Sequence, residues 1–267
     1  AMDQPKHDQQ RKVVQPAVVP RNLQKFESVI RERTGQILDE VPHNEDFDWV
    51  EKVSIELTTL MLATIFGFPM EDKHKLTFWS DVATGGVFRD FTEESQQKAQ
   101  AELLDCLGTF TEIWHDRVKN PGEFDLITML AHNETTKNMV NDPMEYLVNL
   151  LLSIVGANDT TPSSMTCSVY ALNKFMGEYD KLRSDESLIP NMVAEVIRWQ
   201  TPLAHMRRKA KQDVELGGKL IKAGDKVIMW YVSGNRDEAV FEDPHKLMID
   251  RKNARQHVSF GFGIHRC

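Results

Sequence analysis

The chain has 267 residues, with 32 lysines and arginines against 40 aspartates and glutamates, a formal charge of −8, 41% hydrophobic and 27% charged residues; this excludes collagen-like, disordered and coiled-coil chains. The length is ample for one buried core. The acidic balance, with no long Lys/Arg run, argues against nucleic acid or an anionic membrane as partner, because phosphate binding needs concentrated positive charge, and leaves small molecules and proteins.

Apolar residues at spacings of three and four predict an amphipathic helix over Asn22–Leu38, carrying Leu23, Phe26, Val29, Ile30, Ile37 and Leu38. A second is predicted over Phe47–Phe66, stopped by Gly67-Phe68-Pro69, and a third over Glu93–Val118, stopped by Asn120-Pro121-Gly122. From Asp142-Pro143 to about Phe175 the pattern predicts one long helix, although Gly156 and Pro162 inside it oppose regular winding through backbone entropy and a lost donor. Beyond Arg207 the texture changes. Turn signals at Gly217-Gly218 and Gly224-Asp225 flank short alternating runs, and Lys226–Trp230 is β-rich, so two or three short strands are predicted before a loop-rich stretch from Asn235 to Cys267. No repeat, linker or domain boundary is visible.

Cys106, Cys167 and Cys267 are too few and too scattered for a disulfide framework, which reads as a reducing compartment. No apolar run reaches the roughly 18–20 residues of a membrane span, and the chain reads as soluble. The final octapeptide, Phe260-Gly261-Phe262-Gly263-Ile264-His265-Arg266-Cys267, is the most informative segment. Its glycines permit a tight loop that brings backbone N–H groups and a sulfur to one point, as a thiolate ligand requires; the bland alternative is a glycine-rich turn ending in an inert cysteine. Glu195 and Arg198 lie three apart, on one helix face, among the apolar Met192, Val193, Val196, Ile197 and Trp199, which favours a buried pair over a solvated one.

The octapeptide resembles the haem-ligand signature of the cytochrome P-450 superfamily, Phe-x-x-Gly-x-His-x-Cys, at Phe260, Gly263, His265 and Cys267. Other marks of that family follow in order. Glu195-Val196-Ile197-Arg198 is similar to its Glu-x-x-Arg pair, which braces the core behind the haem. Gly156-Ala157-Asn158-Asp159-Thr160 looks like its oxygen-activation segment, in which small residues leave room beside the haem and the acid and alcohol relay protons, here Asp159 and Thr160. Ala157 stands where a second glycine is common. His7 and Arg11 match a His-x-x-x-Arg motif, except that Gln4 stands where a proline is usual before it, and Arg208 matches Arg-x-Ala-x-x-Asp. With His265 these would meet the two haem propionates.

The resemblance implies a mainly α cytochrome P-450 fold with a small β-region near the C-terminus, haem b with axial Cys267 thiolate, and a bacterial cytoplasmic monooxygenase. Residues 1–267 are expected to form a single incomplete domain, an internal piece of a longer chain and inactive as such. Strings at Trp199–Arg208 and Val227–Asp237 are similar to alkane-hydroxylating members, which implies terminal hydroxylation of a medium-chain alkane or fatty acid, with a terpene or steroid as the alternative substrate. Leu152, Val155, Leu203 and Ala204 are the expected substrate contacts, though the same side chains would serve as plain core. O2, a ferredoxin and its NAD(P)H-linked reductase are the implied partners, since no flavin or iron–sulfur motif lies in the chain. A non-catalytic haem binder and a helical scaffold with Cys267 as bystander are the competing readings.

Overall fold

The computed structural model describes residues 3–18, 24–90, 92–122 and 125–267. The chain falls into two compact units, Ala1–Pro162 and Ser163–Cys267, each taken here by itself. Among the described residues no helix is long and apolar enough to cross a membrane.

The first unit is helical. Its elements are α1 (Lys6–Val18), α2 (Glu27–Glu40), α3 (Glu56–Phe66), α4 (His74–Ala83), α5 (Glu93–Lys119), α6 (Leu126–His132) and α7 (Pro143–Asn158). The helix predicted from Asn22 starts as a short 3₁₀ turn at Gln24–Phe26 before α2, and Asn22 and Leu23 lie outside the described residues. The helix predicted from Phe47 begins with a π-helical turn, Val50–Ile55, whose entry is held by Asp48 Oδ1 accepting from the N–H groups of Val50 (2.8 Å) and Glu51 (3.1 Å). Caps set the starts of α5 and α7: Thr92 Oγ1 accepts from Ser95 N–H at 3.2 Å, and Asp142, followed by Pro143, accepts from Glu145 N–H at 3.0 Å.

The apolar stripes meet in one core that includes Phe66, Phe68, Leu76, Trp79, Phe110, Trp114, Tyr146, Leu150 and Ile154. Phe68 and Trp79 pack edge to face with ring centroids 5.8 Å apart. Cys106 lies wholly inside this core; burial pushes its thiol up to about 12, which makes it an inert apolar side chain. Gly67 ends α3 in the left-handed conformation (φ 64°). A Cβ there would lie 2.9 Å from Asp125 Cγ, and the buried Asp125 already caps α6 and pairs with Arg117 at 3.2 Å. Gly67→Ala is therefore expected to lower unfolding stability by about 2 kcal/mol or more, combining left-handed strain with overpacking; a denaturant midpoint equal to that of the parent refutes this account.

The second unit carries most of α8 (Thr160–Lys174), then α9 (Met176–Ser184), α10 (Ile189–Gln200), four short strands and α11 (Tyr231–Gly234). β1 (His205–Lys209) pairs antiparallel with β4 (Lys226–Trp230), Arg207 opposite Ile228. β2 (Val214–Leu216) and β3 (Lys219–Ile221) form a hairpin through Gly217 and Gly218, both at positive φ (59° and 72°), the two-residue turn that right-handed strand twist favours. The expected two or three strands are thus four. Ala171, Met192, Val196, Leu247 and Ile249 form the core, and the stretch from Asn235 onward is irregular apart from a 3₁₀ turn at Ala254–Gln256.

The helix predicted to run unbroken from Asp142 to Phe175 is interrupted at Asp159, between α7 and α8. The interruption accommodates Pro162. In an unbroken helix that proline would strip a hydrogen bond from the carbonyl of Asn158; as the third residue of a new helix it occupies a first-turn position whose N–H needs no intrahelical partner.

Candidate functional site

The centre of the second unit is a buried ion cluster on α10. Glu195 and Arg198 are both completely buried. The Glu195 carboxylate accepts from Arg198 Nε at 2.7 Å and Nη2 at 2.8 Å, from Arg251 Nε at 3.0 Å, and from the Met248 N–H at 3.1 Å. The expected pair is therefore a triad. Arg251, 56 residues beyond Glu195, has no spacing that announces it. Arg198 Nη1 continues outward, donating to the carbonyls of Asn235 (2.8 Å) and Pro244 (2.9 Å). Satisfied on every side, these charges fix the irregular chain that has no secondary structure of its own.

Asn235 extends this network to the final loop. Its buried amide donates to Thr201 Oγ1 (2.9 Å) and Ser259 Oγ (2.8 Å), and its Oδ1 accepts from Val258 N–H at 2.7 Å. Ser259 Oγ in turn donates to the Ile197 carbonyl of α10 at 2.9 Å. The chain then curls: Gly261 N–H donates to Val258 O (2.8 Å), Arg266 N–H to Gly263 O (3.0 Å) and Cys267 N–H to Phe260 O (2.8 Å). Gly261 and Gly263 both have positive φ (74° and 82°), and a Cβ on Gly261 would lie 2.8 Å from the Tyr231 hydroxyl. Glycine is required at that point both for the turn and for the close approach. Burial, reinforced by the charges of Arg266 and Arg198, holds His257 below the usual imidazole range, so the ring beside this loop is neutral near pH 7.

The closed loop leaves Cys267 exposed, with Phe260, Phe262 (82% exposed) and Ile264 exposed around it. His265 is half-buried and hydrogen-bonded or otherwise engaged. Arg208, on β1, is half-buried; its Nη1 donates to the Arg207 carbonyl at 3.1 Å, and no carboxylate among the described residues pairs with it. An exposed sulfur, exposed apolar side chains in the same loop and an arginine that pairs with no carboxylate among the described residues suit in chemistry a flat apolar macrocycle that brings its own metal and carboxylates, which is the haem the sequence resemblance implies.

The remaining expected residues lie in the first unit. His7 and Arg11 share a face of α1; His7 Nδ1 lies 2.9 Å from Asp8 Oδ1, Arg11 is exposed and pairs with no carboxylate among the described residues, and Lys6 and Gln10 tie the helix to Glu145 of α7. Leu152 is 64% exposed and Val155 half-buried on α7, while Leu203 and Ala204 are exposed in the second unit, so Leu152, Leu203 and Ala204 are not core residues. A Cβ built on Gly156 meets nothing within 4 Å. Ala157, in contrast, packs against the helical core, so the alanine that stands where a second glycine is common does not narrow that open face. Asp159 is exposed at the end of α7, and Thr160 Oγ1 donates to the Gly156 carbonyl at 2.9 Å.

The sequence profile of the cytochrome P450 family matches residues 178–267. The chain is 36% identical to linalool 8-monooxygenase of Pseudomonas putida over its whole length, covering 65% of that protein. Among solved structures it is similar to cytochrome P450-153 from Novosphingobium aromaticivorans, with a TM-score of 0.90, 50% identity, and coverage of 100% of this chain and 64% of that one. It is also similar to CYP109E1 from Bacillus megaterium in complex with corticosterone, with a TM-score of 0.88, 33% identity, and coverage of 100% and 71%. The chain thus spans just under two thirds of the first two of these relatives. With the Cys267 loop, the buried Glu195–Arg198 pair and this likeness over its full length, the chain belongs to the cytochrome P450 family.

Proposed function

We propose that the protein acts as a haem-thiolate monooxygenase that converts an apolar substrate RH, O2, two electrons and two protons into ROH and water, with the terminal carbon of a medium-chain alkane or fatty acid as the target. The observation that carries this reading is the exposed Cys267 sulfur, presented by a loop that α10 braces through Arg198, Asn235 and Ser259. In this family haem b is held by a cysteine thiolate, and when bound it supplies O–O bond cleavage, which the electron-rich sulfur favours. Cys267 is the ligand in this reading. Arg208, His265, His7 and Arg11 hold the propionates, Phe260 and Gly263 shape the loop, and Gly156 and Ala157 give the small-residue face. Leu152, Val155, Leu203 and Ala204 contact the substrate and exclude water from it. Asp159 holds a proton and passes it by way of the Thr160 hydroxyl. Glu195 and Arg198 are structural.

Electrons come from a ferredoxin and its NAD(P)H-linked reductase, and the setting is the bacterial cytoplasm. The strings at Trp199–Arg208 and Val227–Asp237 support the alkane assignment. A terpene or steroid is the second reading, favoured by the linalool monooxygenase relative and by the corticosterone bound in a similar structure. Product analysis of the full-length protein with its electron partners, offered an n-alkane, linalool and a steroid in separate reactions, distinguishes these; no oxygenated product from any of them identifies a non-catalytic haem binder.

Thr160→Ala is expected to lower product formed per O2 consumed by about a hundredfold, the low end of what a positioned proton donor contributes, while NAD(P)H oxidation continues. Unchanged coupling refutes the relay role of Asp159 and Thr160.

A further inference from the structure

Arg208 aside, the β-region of the second unit has no part in the proposed oxygenation. Its four strands share one register: His205 stands opposite Trp230 and Lys209 opposite Lys226, and further out Val214 stands opposite Ile221 and Leu216 opposite Lys219. Ala210 N–H donates to the Asp225 carbonyl at 3.0 Å and Gly224 N–H to the Ala210 carbonyl at 2.8 Å, which joins the two ladders. The strands therefore make one β-arm that turns at Gly217-Gly218. No residue from Pro202 to Trp230 is buried, and yet the tip is apolar: Leu216 is 66% and Leu220 62% exposed, on either side of the turn. Charge on the arm runs against the rest of the chain. Seven lysines and arginines stand between His205 and Trp230 against three acids, in a chain of formal charge −8. Two of those acids face the backbone, Asp213 Oδ1 accepting from Ala223 N–H at 2.8 Å and Asp225 Oδ2 from Lys222 N–H at 2.9 Å; Glu215, beside the tip, is the third. Arg207, Lys209, Lys219, Lys222 and Lys226 pair with no carboxylate among the described residues. The chain average that argues against an anionic membrane thus does not hold on this arm.

We propose that the β-arm docks the protein on an anionic phospholipid bilayer, with Leu216 and Leu220 entering the acyl boundary and Lys219 and Lys222 meeting the lipid phosphates. Leucine taken out of water and ammonium groups held at anionic headgroups act in the same direction, and the long lysine stems keep the charge at headgroup level while the leucines go deeper. A bilayer also fits the shape of the tip. An acidic protein partner needs about 800 Å² of complementary surface on this side, and two leucines astride a two-residue turn offer a wedge instead of a face. Single-stranded nucleic acid calls for aromatic side chains on which bases stack, and the tip has none. The inference stands apart from the monooxygenase reading, and its test involves no turnover.

The test is co-sedimentation of the full-length, haem-loaded protein with vesicles of phosphatidylglycerol and phosphatidylcholine in equal parts, and with vesicles of phosphatidylcholine alone. The parent should pellet with the first and stay in solution with the second. Lys219→Glu combined with Lys222→Glu should lower partitioning by about 25-fold or more, since each lysine near such a surface contributes about fivefold. Leu216→Ser combined with Leu220→Ser should lower it by about tenfold or more. All four side chains are exposed, so both double variants should keep the urea midpoint of the parent. A parent that stays in solution with both vesicles, or pellets equally with both, overturns the proposal. Binding retained by the leucine variant means that a charged surface alone is recognised, as an acidic protein would be, and binding retained by the lysine variant means that another part of the chain carries it; either result overturns the proposal as well.

Discussion

Replacing Cys267 with serine should abolish product formation, by about 10³ or more, equivalent to about 4 kcal/mol of transition-state stabilisation, and remove the displaced Soret band of the reduced carbon monoxide complex. A serine hydroxyl stays protonated where a thiol can ionise, so it cannot act as an anionic sulfur does. The fold should be unaffected. Cys267 is exposed, and its fixed contact is a backbone one, the N–H donating to Phe260 O at 2.8 Å, which serine reproduces. The variant should therefore denature within about 0.5 kcal/mol of the parent. Full-length Cys267→Ser protein that kept both the displaced band and the oxygenated product would exclude the thiolate reading, because nothing else in the loop offers a soft donor.

Glu195→Gln should have the largest effect on stability. The carboxylate faces Arg198 and Arg251 with none of the three side chains appreciably exposed, and it accepts from the Met248 N–H as well. An amide oxygen of the same size would leave two buried guanidinium groups without a counter-charge, and breaking such a cluster from one side costs about 3–5 kcal/mol. That is a large part of the roughly 5–15 kcal/mol that holds a domain folded. Urea denaturation should show the loss, and haem uptake should fail in parallel, since Arg198 also fixes the carbonyls of Asn235 and Pro244 on the way to the ligand loop. A Glu195→Gln protein with the urea midpoint of the parent would mean that the cluster is not what organises the second unit.

Periodicity and punctuation made the regular elements legible. Helix α5 begins at the predicted Glu93 and ends one residue beyond Val118, because a clean apolar stripe runs from a capping threonine to Asn120-Pro121-Gly122. The burial of Glu195 and Arg198 was readable from their apolar flanks, and the loop at Cys267 from its two glycines. What stayed hidden depends on contacts between distant parts of the chain. Arg251 and Asn235 reach α10 from irregular segments that carry no period. The stop at Asp159 was signalled only by Gly156 and Pro162 on either side of it, and such residues show that winding is opposed without showing where it fails. Strands of three residues, such as β2 and β3, are shorter than alternation can resolve.

The octapeptide that ends in Cys267 does not own its shape. Its backbone is moulded by Asn235, Ser259 and Tyr231, and the first two are held in turn by α10. Grafting the eight letters onto a foreign scaffold should therefore yield a floppy thiol, because the mould lies in α10 and in the irregular chain from Asn235 to Ser259.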